Sequence, residues 1–297
     1  MTISGWLILD KPLGLSSAQG VAAVKRILRH GGLPVPRVGH GGTLDPLATG
    51  VLPIALGEAT KLAGRMLNAA KGYDFTVKFG NQTDTLDAEG AVIAASDVRP
   101  DADQIAAVLP RFNGLIDQVP PAYSALKVDG RRAYALARAG EAVELAARRI
   151  TVFNLTLVGV TPDSASFSTF VSKGTYIRSL ARDIALALGT VGHVTALRRT
   201  RSGPFGLAQA ISLDKLSQLV QAAEIEQALL PMMAGLDDIP ALSITPDEAA
   251  ALKQGRRLLG HPASNGTHLA ALGSVPVALV EVDPEAVRVL RGFNIEA

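Results

Sequence analysis

The chain has 297 residues, 48% of them apolar, no cysteine, and a formal net charge of +2. That length supports a large core and two domains; the missing cysteines exclude disulfides, zinc–thiolate sites and thiol nucleophiles. No apolar run reaches the ~20 residues of a membrane span, and Met1-Thr2-Ile3-Ser4-Gly5 opens onto Trp6 without a basic leader, so no signal peptide, no membrane contact and a cytoplasmic location are expected.

Trp6–Leu9 predicts a short buried strand, and Lys11-Pro12-Leu13-Gly14 turns the chain. Ser16 or Ser17 can cap a helix whose apolar face is Ala18, Val21, Val24 and Leu28. Pro34 and Pro36 end it. A glycine-rich turn then carries Asp45 directly before Pro46, followed by the strand-like run Val51–Leu56. Thr60 to Leu67 predicts a short helix. Tyr73, Phe75, Val77 and Phe79 alternate along one face of a strand. Residues 101–109 read as helix, and Lys127-Val128-Asp129-Gly130-Arg131 carries the Asp-Gly signal of a tight hairpin. Strands follow at 150–160 and 164–172. Ile177, Leu180, Ala181, Ile184 and Leu188 mark the buried face of a helix ending near Gly189. The acidic stretch 204–240 is the best domain boundary. Beyond it come a capping box at Thr245-Pro246-Asp247-Glu248, a stop at Gly255, and strand-like runs at Leu269–Leu272 and Val275–Val282. Residues from about 241 onward predict a small α+β appendage.

Charge is unevenly distributed. Residues 1–66 carry seven Lys/Arg against three Asp/Glu and residues 173–203 carry six against one, whereas residues 204–250 hold one Lys against seven acids. A basic face for a polyanion accounts for this, and so do chance clusters on solvated helices.

Several chemistries lack their motifs. There is no Gly-Lys dipeptide for a Walker-type phosphate loop, and no Gly-x-Gly-x-x-Gly. The five histidines show no metal-ligand spacing, and no nucleophile elbow occurs. Asp84, Asp87 and Glu89 before Gly90 read as a hairpin turn rather than a calcium loop. What remains is a carboxylate, basic tracts and a few aromatics. Asp45 either caps its turn or is held out toward a bulky substrate as a nucleophile. A nucleophilic carboxylate needs a partner that favours its charged form. Arg178, at the start of the helix after Gly174, is the best candidate, against the plain reading of one more exposed arginine. Tyr73 and Tyr176 are core aromatics or stacking surfaces for a flat ring. His40 either wedges into a base stack or bonds a turn carbonyl. Leu197 lies beside Arg198, Arg199 and Arg201, which suits a ring on a phosphate chain or a strand with one solvated face.

Five blocks carry a family resemblance: Leu9-Asp10-Lys11-Pro12-Leu13-Gly14-Leu15-Ser16-Ser17, Gly39 to Gly50, Thr83-Asp84-Thr85-Leu86-Asp87, Tyr123-Ser124-Ala125-Leu126-Lys127 and Lys173-Gly174-Thr175-Tyr176-Ile177-Arg178. From Gly5 to about Phe205 the chain closely resembles the bacterial TruB-type tRNA pseudouridine synthases, which act on uridine 55 of the T-loop. The resemblance implies an α+β catalytic domain over 1–240, built on a long mixed, mostly antiparallel sheet. A T-arm-gripping insertion would lie at about 123–150, and a small PUA-like RNA-binding domain over 241–297. It implies Asp45 as nucleophile, Arg178 as its ion-pair partner, and Tyr73 stacked on the target uracil. Tyr176 and Leu197 would line the base pocket, His40 would fill the gap left by the extruded base, and Lys11 would join the substrate-binding set. No cofactor, no metal and no protein partner are implied; the T-arm of tRNA is the expected partner and a monomer the expected state. Two alternatives remain: a non-catalytic tRNA-binding or folding module, and a guide-RNA-dependent pseudouridine synthase subunit.

Overall fold

The computed structural model describes residues 3–295 except 125, 129, 142 and 262. Its centre is a nine-stranded sheet. The strand Gly5–Lys11 is buried almost throughout, as an uninterrupted apolar run requires when both faces are covered. It pairs antiparallel with Ala48–Leu56, Gly5 opposite Leu56 and Lys11 opposite Gly50. The strand Gly192–Ser202 follows, parallel to Ala48–Leu56 and antiparallel to Lys71–Phe79. Ser164–Val171, Arg148–Val160 and Gly114–Gln118 continue the sheet antiparallel. Val38–His40 pairs with Ala48–Leu56, and Phe205–Gly206 with Gly192–Ser202. The sheet is therefore mixed and mostly antiparallel, in an α+β architecture.

One face carries the alternating residues Tyr73, Phe75, Val77 and Phe79. They form a single core with Val24 and Leu28 of helix Ser17–His30, Ile177, Leu180 and Ile184 of helix Ile177–Ala187, and Leu216, Leu219 and Val220 of helix Leu213–Gln221. Ser16 starts the first helix with a complete capping box closed by Gln19. The expected apolar face of that helix needs a correction: Ala18 is exposed and Gly20 is buried in its place. The helix lies so close to the sheet that a methyl group at 20 would sit 3.3 Å from Leu9 and 3.4 Å from Leu52.

The sheet's other face, at Trp6, Ile8, Val51 and Ala55, packs against Phe205, Met232 and Leu236, against Leu269 and Leu279 of a second sheet, and against Phe293 just beyond that sheet's strand Ala286–Gly292. That sheet has five strands, ordered Ala241–Ser243, Gly266–Leu272, Val275–Val282, Ala286–Gly292 and Leu258–Leu259. With helix Pro246–Lys253, capped by Thr245 and Glu248, it encloses a core of its own. Two of its strands are the runs expected from sequence. Two of the others are only two or three residues long, and Ala286–Gly292 is mostly exposed after its first two residues, so none shows a clear period.

Between Gln118 and Arg148 the chain forms the hairpin of Lys127–Val128 with Arg131–Arg132 and the helix Ala133–Arg138. Asp129 of the expected Asp-Gly turn and Ala125 of the Tyr123–Lys127 block lie outside the described residues. Among the described residues no helix is long and apolar enough to cross a membrane.

Candidate active site

The turn that carries Asp45 joins Val38–His40 to Ala48–Leu56. Its backbone is clasped from three directions. Arg199, 1% exposed, donates from Nε to the Val51 carbonyl (2.7 Å), from Nη2 to Gly42 (3.2 Å) and from Nη1 to Thr43 (3.3 Å). The buried Ser17 hydroxyl accepts from the Leu44 N–H (2.7 Å) and donates to the Leu44 carbonyl (3.1 Å). Lys11, fully buried, donates its ammonium to the carbonyls of Pro12, Leu15 and Pro46. Burial pushes its pKa down to about 8, partly opposed by the negative charge of Asp45. Gly50 completes the clasp. It has φ +97°, and a Cβ there would lie 2.2 Å from the Arg199 carbonyl oxygen, so only glycine lets the two strands approach this closely.

This scaffold presents the Asp45 side chain 39% exposed, with Oδ2 2.9 Å from Nη2 of Arg178, whose side chain is 7% exposed. Arg178 is thus a buried guanidinium rather than one of the surface arginines. It also donates to the carbonyls of Thr85 (2.8 Å) and Tyr123 (2.8 Å), and its Nη1 lies 3.5 Å from Oδ2 of the buried Asp87. Asp87 is held by the Thr85 hydroxyl (2.5 Å) and the Glu89 N–H (3.1 Å), both on Oδ1. One guanidinium therefore bridges two carboxylates, one enclosed and one open to a ligand. Asp87 and its turn, between strands Asn81–Thr83 and Val92–Ala95, read from sequence as a hairpin only. The ion pair comes from a chain separation of ninety residues, which no local pattern reveals.

Tyr73 and Leu197 stand on the same sheet face as Phe75, each 9% exposed, and belong to one buried cluster with Leu44, the residue before Asp45. Tyr176 precedes helix Ile177–Ala187 as its N-cap, half-buried, with burial pushing its phenol pKa up. Its backbone is held by Gln118, which is 2% exposed. The Tyr176 N–H donates to Oε1 (2.8 Å), and Nε2 donates to the Tyr176 carbonyl (3.1 Å). Gln118 was invisible as a site residue because a lone Gln in a strand carries no signal. His40 ends its strand half-buried. Its pKa is lowered by burial and by the charge of Arg199, and its buried Nδ1 has no partner among the described residues.

Lys11 turns its ammonium onto the carbonyls of Pro12 and Leu15, in the loop that follows it, and of Pro46 in the Asp45 turn. The three guanidiniums near Leu197 do not form one basic strip. Strand alternation buries Arg199 and pairs Arg198 with Asp10 (2.8 Å), and a register shift between Arg199 and Arg201 lays Arg201 over the Phe170 ring on the far face (5.6 Å). No cluster of three or more His, Asp or Glu suited to a metal occurs among the described residues.

Chemically, the site is a half-open carboxylate on a clasped turn, 2.9 Å from a buried guanidinium, with the preceding residue, Leu44, in the same core cluster as an aromatic ring, Tyr73, and an apolar side chain, Leu197. It suits attack on, or charge stabilisation of, a flat polar ring.

Comparison with known proteins adds the following. The family model described as TruB family pseudouridylate synthase (N terminal domain) matches residues 25–177, and that of the tRNA pseudouridylate synthase B C-terminal domain matches residues 178–238. A protein named tRNA pseudouridine synthase B from Novosphingobium aromaticivorans is 61% identical over 299 residues, covering 99% of this chain and 98% of the relative. One of the same name from Zymomonas mobilis is 57% identical, covering 98% and 96%. Among solved structures, a chain of a Cbf5–Nop10–Gar1 complex is 30% identical with a TM-score of 0.75, covering 98% of this chain and 85% of that one. A chain of an H/ACA ribonucleoprotein bound to a substrate RNA containing 2′-deoxyuridine is 27% identical with a TM-score of 0.74, at the same coverage.

Proposed function

The chain belongs to the TruB family of pseudouridine synthases, and from that premise we propose that it converts uridine 55 in the T-loop of tRNA to pseudouridine, with Asp45 as the nucleophile. The observation that carries this reading is the half-open Asp45 carboxylate held 2.9 Å from a guanidinium that is itself almost fully enclosed. Its curated relatives bear the name tRNA pseudouridine synthase B, which supplies the substrate class.

The target base leaves its stack, at a cost of a few kcal/mol, and stacking in the pocket offsets that cost. Tyr73 faces the uracil ring; Tyr176 and Leu197 close the pocket; His40 fills the vacated space in the RNA. Asp45 attacks the nucleoside while Arg178 balances the carboxylate's charge. The N1–C1′ bond breaks, the retained uracil reorients, C5 bonds to C1′, and the bond to Asp45 breaks, which returns the free carboxylate. The proton on C5 passes to water and N1 takes one up, so product and substrate are isomers. Two-carboxylate glycosidases activate a separate water; here the leaving group is the next reactant, and one carboxylate suffices.

Residues 1–240 form the catalytic domain, with 123–150 gripping the T-arm, and residues 241–297 form a small PUA-like RNA-binding domain. The chain acts as a cytoplasmic monomer without a protein partner. Lys11 serves the bound substrate through the turn it supports.

An unmodified tRNA transcript incubated with the isolated chain tests this reading by nucleoside analysis of the fragment that contains position 55. Pseudouridine at 55, absent from a transcript carrying cytidine there, is expected. Tight tRNA binding without product would replace the reading with a binding module. Product formed only after a guide RNA is added would replace it with a guided subunit.

A further inference from the structure

We propose that Arg199 is a positioning residue for the isomerisation, whose guanidinium sets the Asp45 turn against Tyr73; this rests on the function proposed above. Arg199 lies opposite Tyr73 in the antiparallel ladder and opposite Gly50 in the parallel one. With Leu197 and Arg198 it is one of three residues that pair with both the strand of the pocket aromatic and the strand that leaves the catalytic turn, and it is the one opposite Tyr73 itself. Its side chain shares the face of Leu197 and reaches under the turn. There it gathers the carbonyls of Gly42 and Thr43, ahead of Asp45, and of Val51, after it. The carbonyl oxygen of Arg199 fits against Gly50, which tolerates no Cβ. One residue thus fixes the turn's entry, its exit and its distance from Tyr73.

Stability alone gives no reason for a cation here. Among the described residues Arg199 forms no ion pair, and its charge lowers the pKa of Lys11, His40 and Lys71 around it. An enclosed guanidinium without a carboxylate is a costly way to fill space. What it supplies is several donors in one rigid plane, matched to carbonyls from two parts of one turn. Lys11 and Ser17 each hold one further point of the same turn, so loss of Arg199 loosens the turn without releasing it.

The test is single-turnover release of tritium from tRNA labelled at uridine C5, with enzyme in saturating excess. Rate constants then report folded, tRNA-bound molecules and are not moved by a partly unfolded population. Arg199→Met is expected to slow this step about 100-fold, the scale of a misplacement near 1 Å, with tRNA affinity within about twofold of wild type. Arg199→Lys keeps the charge and a point donor, as Lys11 does, and is expected to be only about tenfold slower. A wild-type rate for folded Arg199→Met, or a loss confined to tRNA affinity, overturns the proposal. If Arg199→Met does not fold, Arg199→Lys decides: a wild-type rate overturns it, and a slower rate at unchanged affinity supports it. Wild-type protein that releases no tritium refutes the proposed function instead, so the two failures are distinct.

Discussion

Replacing Asp87 with Asn removes one charge and little else. The Asn Oδ1 still accepts from the Thr85 hydroxyl and the Glu89 N–H, as Asp87 does at 2.5 Å and 3.1 Å. The group facing Arg178 Nη1 at 3.5 Å changes from carboxylate oxygen to amide NH2, a donor against a donor. At an effective dielectric near 20, unit charges 3.5 Å apart interact by about 5 kcal/mol before compensation. Breaking an enclosed ion pair by removing one partner typically costs about 3–5 kcal/mol. Asp45 at 2.9 Å and two carbonyls still neutralise Arg178, which reduces the expected loss to about 2–3 kcal/mol. For a chain of this size that corresponds to a drop in Tm of roughly 3–5 °C. Urea and thermal unfolding at pH 7 measure it. A change below about 0.5 kcal/mol, the range of ordinary surface substitutions, would show that Asp87 does not stabilise Arg178 electrostatically.

Other positions give equally direct outcomes. Gln118→Leu keeps the side-chain bulk but leaves the Tyr176 N–H without its acceptor, for about 1–3 kcal/mol of lost stability; unchanged denaturant midpoints would contradict the clamp. Gly50→Ala forces a Cβ to 2.2 Å from a backbone oxygen at φ +97°, so little folded protein is expected, whereas a normal thermal transition would show that the strands can part cheaply. Lys71 is buried with its ammonium on the carbonyls of Met66, Leu67 and Ala69, and desolvation pushes its pKa down to about 8. Above pH 8 the native chain has released this proton while the unfolded chain, near 10.5, still holds it, so unfolding free energy rises with pH. The slope approaches at most ~1.4 kcal/mol per pH unit for each such lysine. Lys11 behaves alike, so Lys71→Met should lose about half of the rise between pH 8 and 9.5; an identical slope in the variant would count against the buried charge.

Much of the scaffold was legible because its signals are local. The alternation from Tyr73 to Phe79, the Ser16 and Thr245 caps, and the apolar run at Trp6–Leu9 each report one face or one end of an element, and the structure has those elements. Asp45 and Arg178 stood out through the glycine-rich turn and the Lys173–Arg178 block. Their supports did not. Asp87, Gln118, Ser17 and Arg199 act through contacts 27 to 157 residues away in the chain, and each is an ordinary residue in an ordinary element. The setting of Arg199 was hidden because three arginines in a short run look alike in sequence, whereas strand alternation and a register shift between Arg199 and Arg201 send them to different surroundings. Ala18 was misplaced because close helix–sheet contact selects the smallest residue, Gly20, which a hydrophobic pattern does not count.

The Asp45 carboxylate carries the proposed reaction. Single-turnover tritium release from C5-labelled tRNA by Asp45→Asn measures it most directly, because Asn preserves the shape of the turn and the contact with Arg178 but not the charge. No release above background is expected, with tRNA still bound at near wild-type affinity. Release at the wild-type rate would contradict it.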